Sequence, residues 1–377
     1  MTEVLYSPQQ LINLSWPDTC QYQQAYLLPF SSGAQRFIAN VATQMQVLRI
    51  GEHFFPVTVN DSEYESSYVC SPYTACISYA KEELSKLHNK PLETGLKLLI
   101  TAVGKLLRAV QINKVVSVNN WLLSTNLYPD WQGAEIQSIT QLLTQQFPEH
   151  SIMFRSLNHH SNAALLKAFK AAGYHLLPSR QVYLFDKQRS DYWQYKNTRC
   201  DFALLDKTPY TVVDHDDITM VDYPRIVMLY KQLYLDKYSY HNPQFTVECI
   251  QLWHQQKLLY MQGLRNSNGL LDGIVGCFER NMITTAPLVG YDTQLPRQLG
   301  LYRMLMALVI KRAYNHDLML NLSSGASQFK RLRGGMPEIE YSAVYTAHLS
   351  TPRKAVWKIL ESLLTHIGVP LMKKYQL

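Results

Sequence analysis

The chain has 377 residues, of which 47% are hydrophobic and 17% are charged, and this balance excludes a disordered or a fibrous protein. The length is enough for two domains that each bury a core of their own. The formal net charge of +7 suits an anionic partner, but Lys and Arg form no dense block, which disfavours a dedicated nucleic-acid-binding protein.

Cysteine usage and apolar segments bear on localisation. Six cysteines without a CxxC pair are typical of reduced thiols and do not indicate a zinc site. The N-terminal sequence MTEVLYSPQQ lacks an export signal. Residues 92–112 are apolar at helical spacing but include Lys97, Lys105 and Arg108, so we expect an amphipathic packing helix and not a membrane span. These features predict a cytoplasmic protein without membrane association.

The first half of the chain alternates predicted strands and helices. Apolar, β-branched runs predict strands, and apolar residues at helical spacing predict helices. In chain order these are strands at 45–50 and 54–59 joined as a hairpin, a weaker strand at 68–76, a helix at 92–112, a strand at 114–118, a helix at 133–147, a strand at 152–155, a helix between Ser161 and Gly173, and a strand at 181–185.

The second half repeats this kind of pattern after a charged and aromatic stretch, residues 188–209, that has no period and is predicted to be a linker. Asn268-Gly269 is a strong hairpin signal between two of the strands. The predicted elements are helices at 222–235 and 245–254, strands at 257–264, 270–278 and 282–290, a helix at 297–315, a strand at 318–322, a helix at 326–333, a strand at 339–346 and a tail helix at 352–367.

The junction between the strand at 282–290 and the helix at 297–315 predicts an anion site. Arg297 and Gly300 lie in the first turn of that helix, where free backbone N–H groups and the positive end of the helix dipole point back at the strand. We therefore expect residues 297–302 to bind a phosphate or a pyrophosphate.

The element order helix, helix, three strands, helix, strand, helix, strand over residues 222–347 resembles the GNAT superfamily of acyl-CoA-dependent N-acyltransferases. This family holds the pyrophosphate of CoA with a [Gln/Arg]-x-x-Gly-x-[Gly/Ala] loop, and Arg297, Gly300 and Tyr302 occupy these positions. Tyr302 departs from the pattern, because a tyrosine replaces the small residue.

A fainter second copy is present in the first half. The segment NAALLKAFKAAGY (162–174) resembles the late helix of the family, and SGASQFKRLRG (324–334) occupies the equivalent place in the second half. The chain is thus similar to tandem GNAT-like proteins and to the Fem-type aminoacyltransferases. The expected fold is α/β, with two tandem GNAT-like domains, each a mixed, mostly antiparallel sheet flanked by helices. The predicted bounds are 1–187 for a domain degenerate in donor binding, 210–350 for the catalytic domain and 351–377 for a helical tail.

The resemblance implies a mechanism in which the fourth and fifth strands of the domain separate and expose backbone N–H groups to the donor. Pro287 within the fourth strand fits such a break, because it cannot donate to a ladder. The implied reaction is direct attack of an amine on the thioester of acyl-CoA or of a phosphopantetheine-bound donor, without a metal. Many members have a tyrosine on the late helix, where this chain has Phe169 and Phe329.

Candidate site residues follow from this placement. Tyr291, Asp292, Ser323 and Glu279 are candidate proton carriers, although Tyr291, Asp292 and Glu279 also suit ordinary turn positions. The candidates for donor binding are Val289, Arg297, Gln298, Leu299, Gly300, Leu301, Tyr302, Ser324, Lys330 and Arg333. The candidates for acceptor binding are Tyr234, Tyr238, His241 and Asn158.

The basic cluster of Lys330, Arg331 and Arg333 has two interpretations, a phosphate contact or a solvated helix face. The leading functional hypothesis is an N-acyltransferase with a small-molecule or peptide amine as acceptor and CoA or acyl carrier protein as donor. The alternatives are a Fem-like enzyme that uses aminoacyl-tRNA and a binding module that has lost catalysis. Either a monomer or a homodimer is compatible with a tandem fold.

Overall fold

The computed structural model describes residues 3–87 and 89–376. These residues form two compact units. Unit 1 contains residues 1–35, 39–181 and 338–377, and unit 2 contains residues 36–38 and 182–337.

The chain contains strands of three to eleven residues and helices of four to twenty residues among the described parts. The strands are β1 (Val4–Tyr6), β2 (Gln44–Ile50), β3 (His53–Asn60), β4 (Val115–Val118), β5 (Ser151–Asn158), β6 (His175–Phe185), β7 (Thr211–Val213), β8 (Tyr260–Arg265), β9 (Leu271–Arg280), β10 (Ile283–Tyr291), β11 (Met319–Asn321) and β12 (Met336–Tyr345). The α-helices are α1 (Pro8–Leu11), α2 (Gln21–Ser31), α3 (Ala34–Phe37), α4 (Tyr79–Glu83), α5 (Lys90–Ala109), α6 (Ile136–Gln146), α7 (Ala163–Ala171), α8 (Lys196–Asp206), α9 (Tyr223–Tyr230), α10 (Val247–Gln255), α11 (Leu301–Asn315), α12 (Ser327–Arg331), α13 (Thr351–Leu363) and α14 (Val369–Tyr375).

Unit 1 has the strand order β1-β2-β3-β4-β5-β12. Strands β4 and β5 are parallel and joined through α6, whereas the other neighbours in this series are antiparallel. Phe154 of β5, Phe169 of α7 and Trp131 pack together in the buried core on one side of the sheet. A second apolar cluster contains Leu107 of α5 and Trp357 of α13.

Unit 2 has the strand order β6-β11-β10-β9-β8-β7. Strands β10 and β11 are parallel and the other neighbours are antiparallel. Helix α11 is buried along most of its length and packs in the main apolar cluster of this unit. Residues 304–310 of this helix are all buried, and the charged Arg303 and Lys311 on either side of them are exposed.

The last strands of the two sequence repeats do not follow the predicted domain bounds. Residues 175–181 of β6 belong to unit 1, whereas Leu184 and Phe185 at the end of the same strand pair with β11 inside unit 2. Strand β12 follows the second repeat, yet Tyr341 and Val344 pair with β5 inside unit 1. The unit bounds therefore differ from the sequence-predicted bounds of 1–187, 210–350 and 351–377. Strand pairing between residues far apart in the chain has no local sequence signal.

Two predicted segments are different in the structure. Residues 68–76 were expected to be a strand. In the structure they form a turn and then enter the π-helical segment Thr74–Ser78. Residues 188–209 were expected to be a linker, but they contain helix α8, whose Asp201 is buried by ion pairs with unit 2 side chains. In contrast, the hairpin of β2 and β3 and the order of elements from α9 to β12 are confirmed.

Helix α5 is confirmed as amphipathic, but some of its apolar residues lie outside the buried face. Leu107 is buried and Ile100 and Val103 are partly buried, whereas Leu99 and Leu106 are exposed. Within the described residues, every helix is too short or too polar to cross a membrane.

Candidate active site

In unit 2 the parallel strands β10 and β11 pair over only three residues and then separate. Ile283–Thr285 pairs with Met319–Asn321, and β10 continues to Tyr291 with no further partner from β11 among the described residues. The register between β10 and β9 shifts between Thr285 and Leu288, where Pro287 lies. Proline has no N–H to donate, so it is compatible with this irregularity. The second half of β10 thus has a ladder on one side only.

The end of β11 is held away from β10 by its own set of hydrogen bonds. Leu322 N–H donates to the Tyr183 carbonyl over 3.0 Å, which continues the pairing with β6. The buried Lys330 ammonium donates to the carbonyls of Leu322, Ser323 and Ser324 at 2.6, 3.2 and 2.8 Å. The predicted phosphate contact by Lys330 is therefore replaced by a structural role, because its ammonium is directed into the loop that follows β11.

This loop has unusual backbone geometry. Ser323 has a φ of 58° and Ala326 a φ of 47°, both in the left-handed region that non-glycine residues rarely adopt. The side-chain hydroxyls of Ser323 and Ser324 are half-buried and have no hydrogen-bond partner among the described residues. These two hydroxyls are therefore available for a ligand.

Aromatic side chains surround the separated strand ends. The ring centroids of Tyr291 and Tyr302 are 6.1 Å apart, and those of Tyr302 and Phe329 are 4.8 Å apart. Tyr234 and Tyr238, from the π-helical turn after α9 and the residues that follow it, are 6.0 Å apart. Burial raises the pKa of Tyr302, and the neighbouring phenols of Tyr234, Tyr238 and Tyr291 raise it further. An aromatic environment of this kind suits an apolar group of a ligand.

The predicted anion site at 297–302 is only partly exposed. Arg297 and Gln298 are exposed, Leu299 and Tyr302 are half-buried, and Gly300 and Leu301 are buried. Gly300 has a φ of 70°, and a Cβ at this position would lie 2.6 Å from Cδ2 of Leu204 in α8. The glycine is therefore required for close packing against α8, which covers the backbone that the family pattern leaves open to a pyrophosphate.

Helix α8 also provides a carboxylate beside the start of α11. Asp201 is buried and accepts hydrogen bonds from Nε of Arg303 at 2.6 Å and from Nε of Arg333 at 2.5 Å. The Arg333 guanidinium also donates to the Phe329 carbonyl at 2.9 Å and lies 3.4 Å from the centre of the Phe329 ring. Arg333 is thus neither a solvated residue nor a free phosphate ligand in this conformation. Arg331 is exposed.

Two of the predicted proton carriers have structural partners. Asp292 accepts from Arg225 over 2.8 Å and from the N–H of Gln294 over 3.0 Å, so it ends β10 as a turn residue. Glu279 lies within β9, not at the hairpin tip, and its carboxylate binds Arg312 in a bidentate pair with bonds of 2.6 and 3.2 Å.

The position of Glu279 also separates it from the cleft. It faces Thr284, which lies seven residues before Tyr291 in the same strand. At about 3.3 Å per residue this corresponds to roughly 23 Å between Thr284 and Tyr291. Glu279 therefore lies far from Tyr291 at the end of β10, and its carboxylate is already occupied by Arg312.

Some of the remaining candidates are accessible to a ligand, and others are buried or have structural partners. Val289 is buried in the core, Tyr238 is 48% exposed and His241 is half-buried. Asn158 belongs to unit 1, where its side-chain oxygen accepts from Ser161 N–H and Oγ at 2.9 and 3.0 Å. Asn158 therefore caps the turn before α7, and it is not available as the predicted acceptor-binding residue.

A polar site in unit 1 was missed by the sequence interpretation. The loop 119–131 follows β4 and is mostly buried, although it contains Asn119, Asn120 and Asn126. Asn120 donates to Thr58 and to the Val69 carbonyl, each at 2.9 Å. The signal in the sequence was the run NNWLLSTN directly after a buried strand, because amides that are buried at a strand end require specific hydrogen-bond partners.

Comparisons with known proteins address the fold. A scan against protein-family models and a search of curated proteins gave no match. Among solved structures, FemX aligns over 96% of this chain and 100% of its own with 7% identity and a TM-score of 0.51. A tandem GNAT protein from the clavulanic acid biosynthesis pathway aligns over 91% and 98% with 11% identity and a TM-score of 0.38. A GCN5-related N-acetyltransferase from Kribbella flavida aligns over 62% and 81% with 12% identity and a TM-score of 0.34.

The chain thus has a mixed α/β fold similar to that of FemX over nearly the whole length of both chains. At these identities the comparisons concern the fold.

Proposed function

We propose that the chain is an acyltransferase that transfers an acyl group from an activated donor to an amine by direct attack in a ternary complex. The observation that supports this proposal is the separation of β10 from β11 after Thr285, fixed by the Lys330 ammonium at the end of β11. Backbone N–H groups without a ladder partner can polarise the acyl carbonyl and stabilise the oxyanion that forms on attack.

The reaction requires two proton movements. The amine nitrogen forms a bond to the acyl carbon and loses a proton, and the bond from that carbon to the leaving sulfur or oxygen breaks as the leaving group gains a proton. We assign the second transfer to Tyr291, whose hydroxyl lies 3.4 Å from the Lys237 ammonium. This cation would stabilise the phenolate that remains. Ser323 and Ser324 supply hydroxyls to orient the donor.

The donor in this proposal is a thioester of CoA or of a phosphopantetheine-bearing carrier protein. Arg297 and Gln298 are exposed and can contact its phosphates. The acceptor is the amine of a small molecule or a peptide, held beside Tyr234 and Tyr238. No metal is required, because the backbone supplies the electrophilic groups.

A second candidate donor is aminoacyl-tRNA. Leu204 packs on Gly300 and the Tyr302 ring stands where the family pattern has a small residue, so the approach of a pyrophosphate to this backbone is obstructed. The ester of an aminoacyl-tRNA is already an activated acyl group, and it does not require a pyrophosphate bound at the start of α11. The packing around Gly300 is the observation that favours this alternative.

A comparison of donors tests the proposal. Purified protein is incubated with acyl-CoA, acyl carrier protein or aminoacyl-tRNA and a panel of amines, and amide products are measured by mass spectrometry together with free thiol or deacylated tRNA. We expect amine-dependent consumption of a thioester. Consumption of aminoacyl-tRNA instead would support the second candidate. If no donor is consumed in an amine-dependent way, the chain is a binding module and the proposal fails.

A further inference from the structure

Two arginine side chains meet at the buried polar loop of unit 1. Arg155 extends from β5 and its Nη1 lies 3.3 Å from the side-chain oxygen of Asn120. Arg180 extends from β6 and its Nη2 lies 3.0 Å from Oγ1 of Thr125. Both guanidinium groups act on the same phenol, Tyr68, whose pKa is raised by burial and lowered by each of the two cations. The three side chains contact the same loop, Arg155 at Asn120, Arg180 at Thr125 and Tyr68 at Ser124.

The hydrogen-bond donors of these arginines are only partly used. Arg180 binds Glu340 through Nε at 2.8 Å and through Nη2 at 3.3 Å, and Nη2 also donates to the Ser124 carbonyl at 2.5 Å. Arg155 uses only Nη1, which donates to the Val69 carbonyl at 2.7 Å and to Asn120. Nε and Nη2 of Arg155 have no acceptor among the described residues, and these atoms are not sealed from solvent.

The charges at this location do not balance. The buried Glu340 is the carboxylate that acts on Arg155 and Arg180, so two cations share one anion. The other ionisable neighbours are neutral at physiological pH, since burial raises the pKa of the Cys70 thiol to about 12 and that of Tyr68 above its usual value. A half-buried cation without a counterion is unfavourable unless an anion completes the site.

The loop that contacts the two arginines is held in a defined conformation. Asn119, Leu122 and Ser156 have φ values of 57°, 56° and 64°. Tyr128 donates to the Arg155 carbonyl at 2.7 Å, which fixes the backbone that carries this side chain. Strained backbone near convergent polar groups is a feature of ligand sites.

We propose that Arg155 and Arg180 form an oxyanion subsite in unit 1, which binds a carboxylate or a phosphate group between the free edge of the Arg155 guanidinium and the Tyr68 hydroxyl. A guanidinium presents two parallel N–H donors to two oxygens, and the free Nε and Nη2 of Arg155 have this arrangement. The inference does not rest on the proposed acyl transfer, because it uses different residues in a different unit.

Anion-dependent stability tests this subsite. Thermal unfolding is followed in increasing inorganic phosphate or sodium acetate, with chloride adjusted to keep the ionic strength constant. An anion that binds only the folded chain raises the melting temperature in a saturable way. We expect saturation with phosphate or acetate, and the anion that saturates at lower concentration identifies a phosphate or a carboxylate ligand.

Substitutions locate the effect. Arg155→Gln should raise the half-saturating anion concentration by about tenfold or more, because both parallel donors are lost. Arg155→Lys keeps the charge but not the fork and should have an intermediate value. Arg189→Gln, which removes an exposed cation of unit 2, is the matched control and should behave as wild type.

Two results would overturn the inference. One is a wild-type protein whose melting temperature shows no saturable response to either anion. The other is an Arg155→Gln protein, shown to be folded by circular dichroism, that saturates like wild type. If Arg155→Gln does not fold, Arg155→Lys and Tyr68→Phe carry the test, and wild-type saturation in both would equally exclude the subsite.

Discussion

At the scale of single residues, the Lys330 ammonium is the group that fixes the cleft. Sequence alone presents it as one of three cations on a short helix, next to the exposed Arg331. In the structure it is buried and satisfies three carbonyls at the end of β11. Its contribution is to the geometry of the loop and not to direct contact with a phosphate.

Lys330→Met should therefore destabilise the protein. The substitution leaves buried carbonyls without a donor, which costs about 2 to 3 kcal/mol. The free energy of unfolding in urea measures the effect. Arg331→Met, on the same helix but exposed, is the control and should change it by less than about 0.5 kcal/mol. Equal losses in both variants would refute the structural role of Lys330.

Tyr291 is the residue whose hydroxyl we assign to the chemical step. Tyr291→Phe removes that hydroxyl and keeps the ring beside Tyr302. Loss of a general acid typically reduces the rate about 100-fold or more, and binding should be retained. We expect kcat to fall with little change in KM in a thiol-release assay, while Tyr6→Phe in unit 1 has no effect. A Tyr291→Phe enzyme with wild-type kcat would exclude the role.

At the scale of secondary structure elements, helix α8 restricts the access of a ligand phosphate to the first turn of α11. Leu204 packs against Gly300, and Asp201 lies between Arg303 and Arg333. The sequence 188–209 has no apolar period, so its helix could not be predicted locally. It is stabilised by partners that lie about 100 residues or more away in the chain.

Asp201→Asn should strongly destabilise unit 2. The buried Arg333 guanidinium would keep its charge without its carboxylate, which costs about 3 kcal/mol or more. Asp206→Asn, at an exposed position of the same helix, is the control and should be close to neutral. Urea unfolding followed by circular dichroism compares the two. A small effect of Asp201→Asn would show that α8 is held by apolar packing alone.

The sequence predicts elements better than it predicts their partners. Periodicity identifies the strands β8 to β10 and the helix α11, and Pro287 indicates the break in β10. The buried network around Asn120 and the ion pairs of Asp201 depend on residues from distant segments. Residue spacing in the sequence does not predict such contacts. The candidate cleft could be located from the sequence, whereas the residues of α8 that pack on the predicted anion site at 297–302 could not.

At the scale of the whole molecule, the exchange of terminal strands makes the two sequence repeats interdependent. Unit 1 contains residues 338–377, and the main segment of unit 2 begins at Val182 inside β6. A fragment of residues 1–187 would lack β12, so β5 would lose its antiparallel partner and the apolar cluster that includes Trp357 would be incomplete.

The fragment 1–187 should therefore fail to fold on its own. We expect it to show no cooperative thermal transition by circular dichroism and to aggregate on size-exclusion chromatography, since an unpaired strand edge and exposed apolar side chains favour association. Co-expression with residues 188–377 should restore a soluble complex. A fragment 1–187 that unfolds cooperatively as a monomer would show that β12 is dispensable to unit 1.

Amide hydrogen exchange can show whether the acyl donor binds where β10 has separated from β11. Exchange is measured by mass spectrometry in the free protein and with the donor that supports amide formation. We predict that the donor slows exchange in Leu288–Tyr291, while Ile283–Thr285, already paired on both sides, changes little. Turnover of the donor with unchanged exchange in Leu288–Tyr291 would show that the donor binds elsewhere.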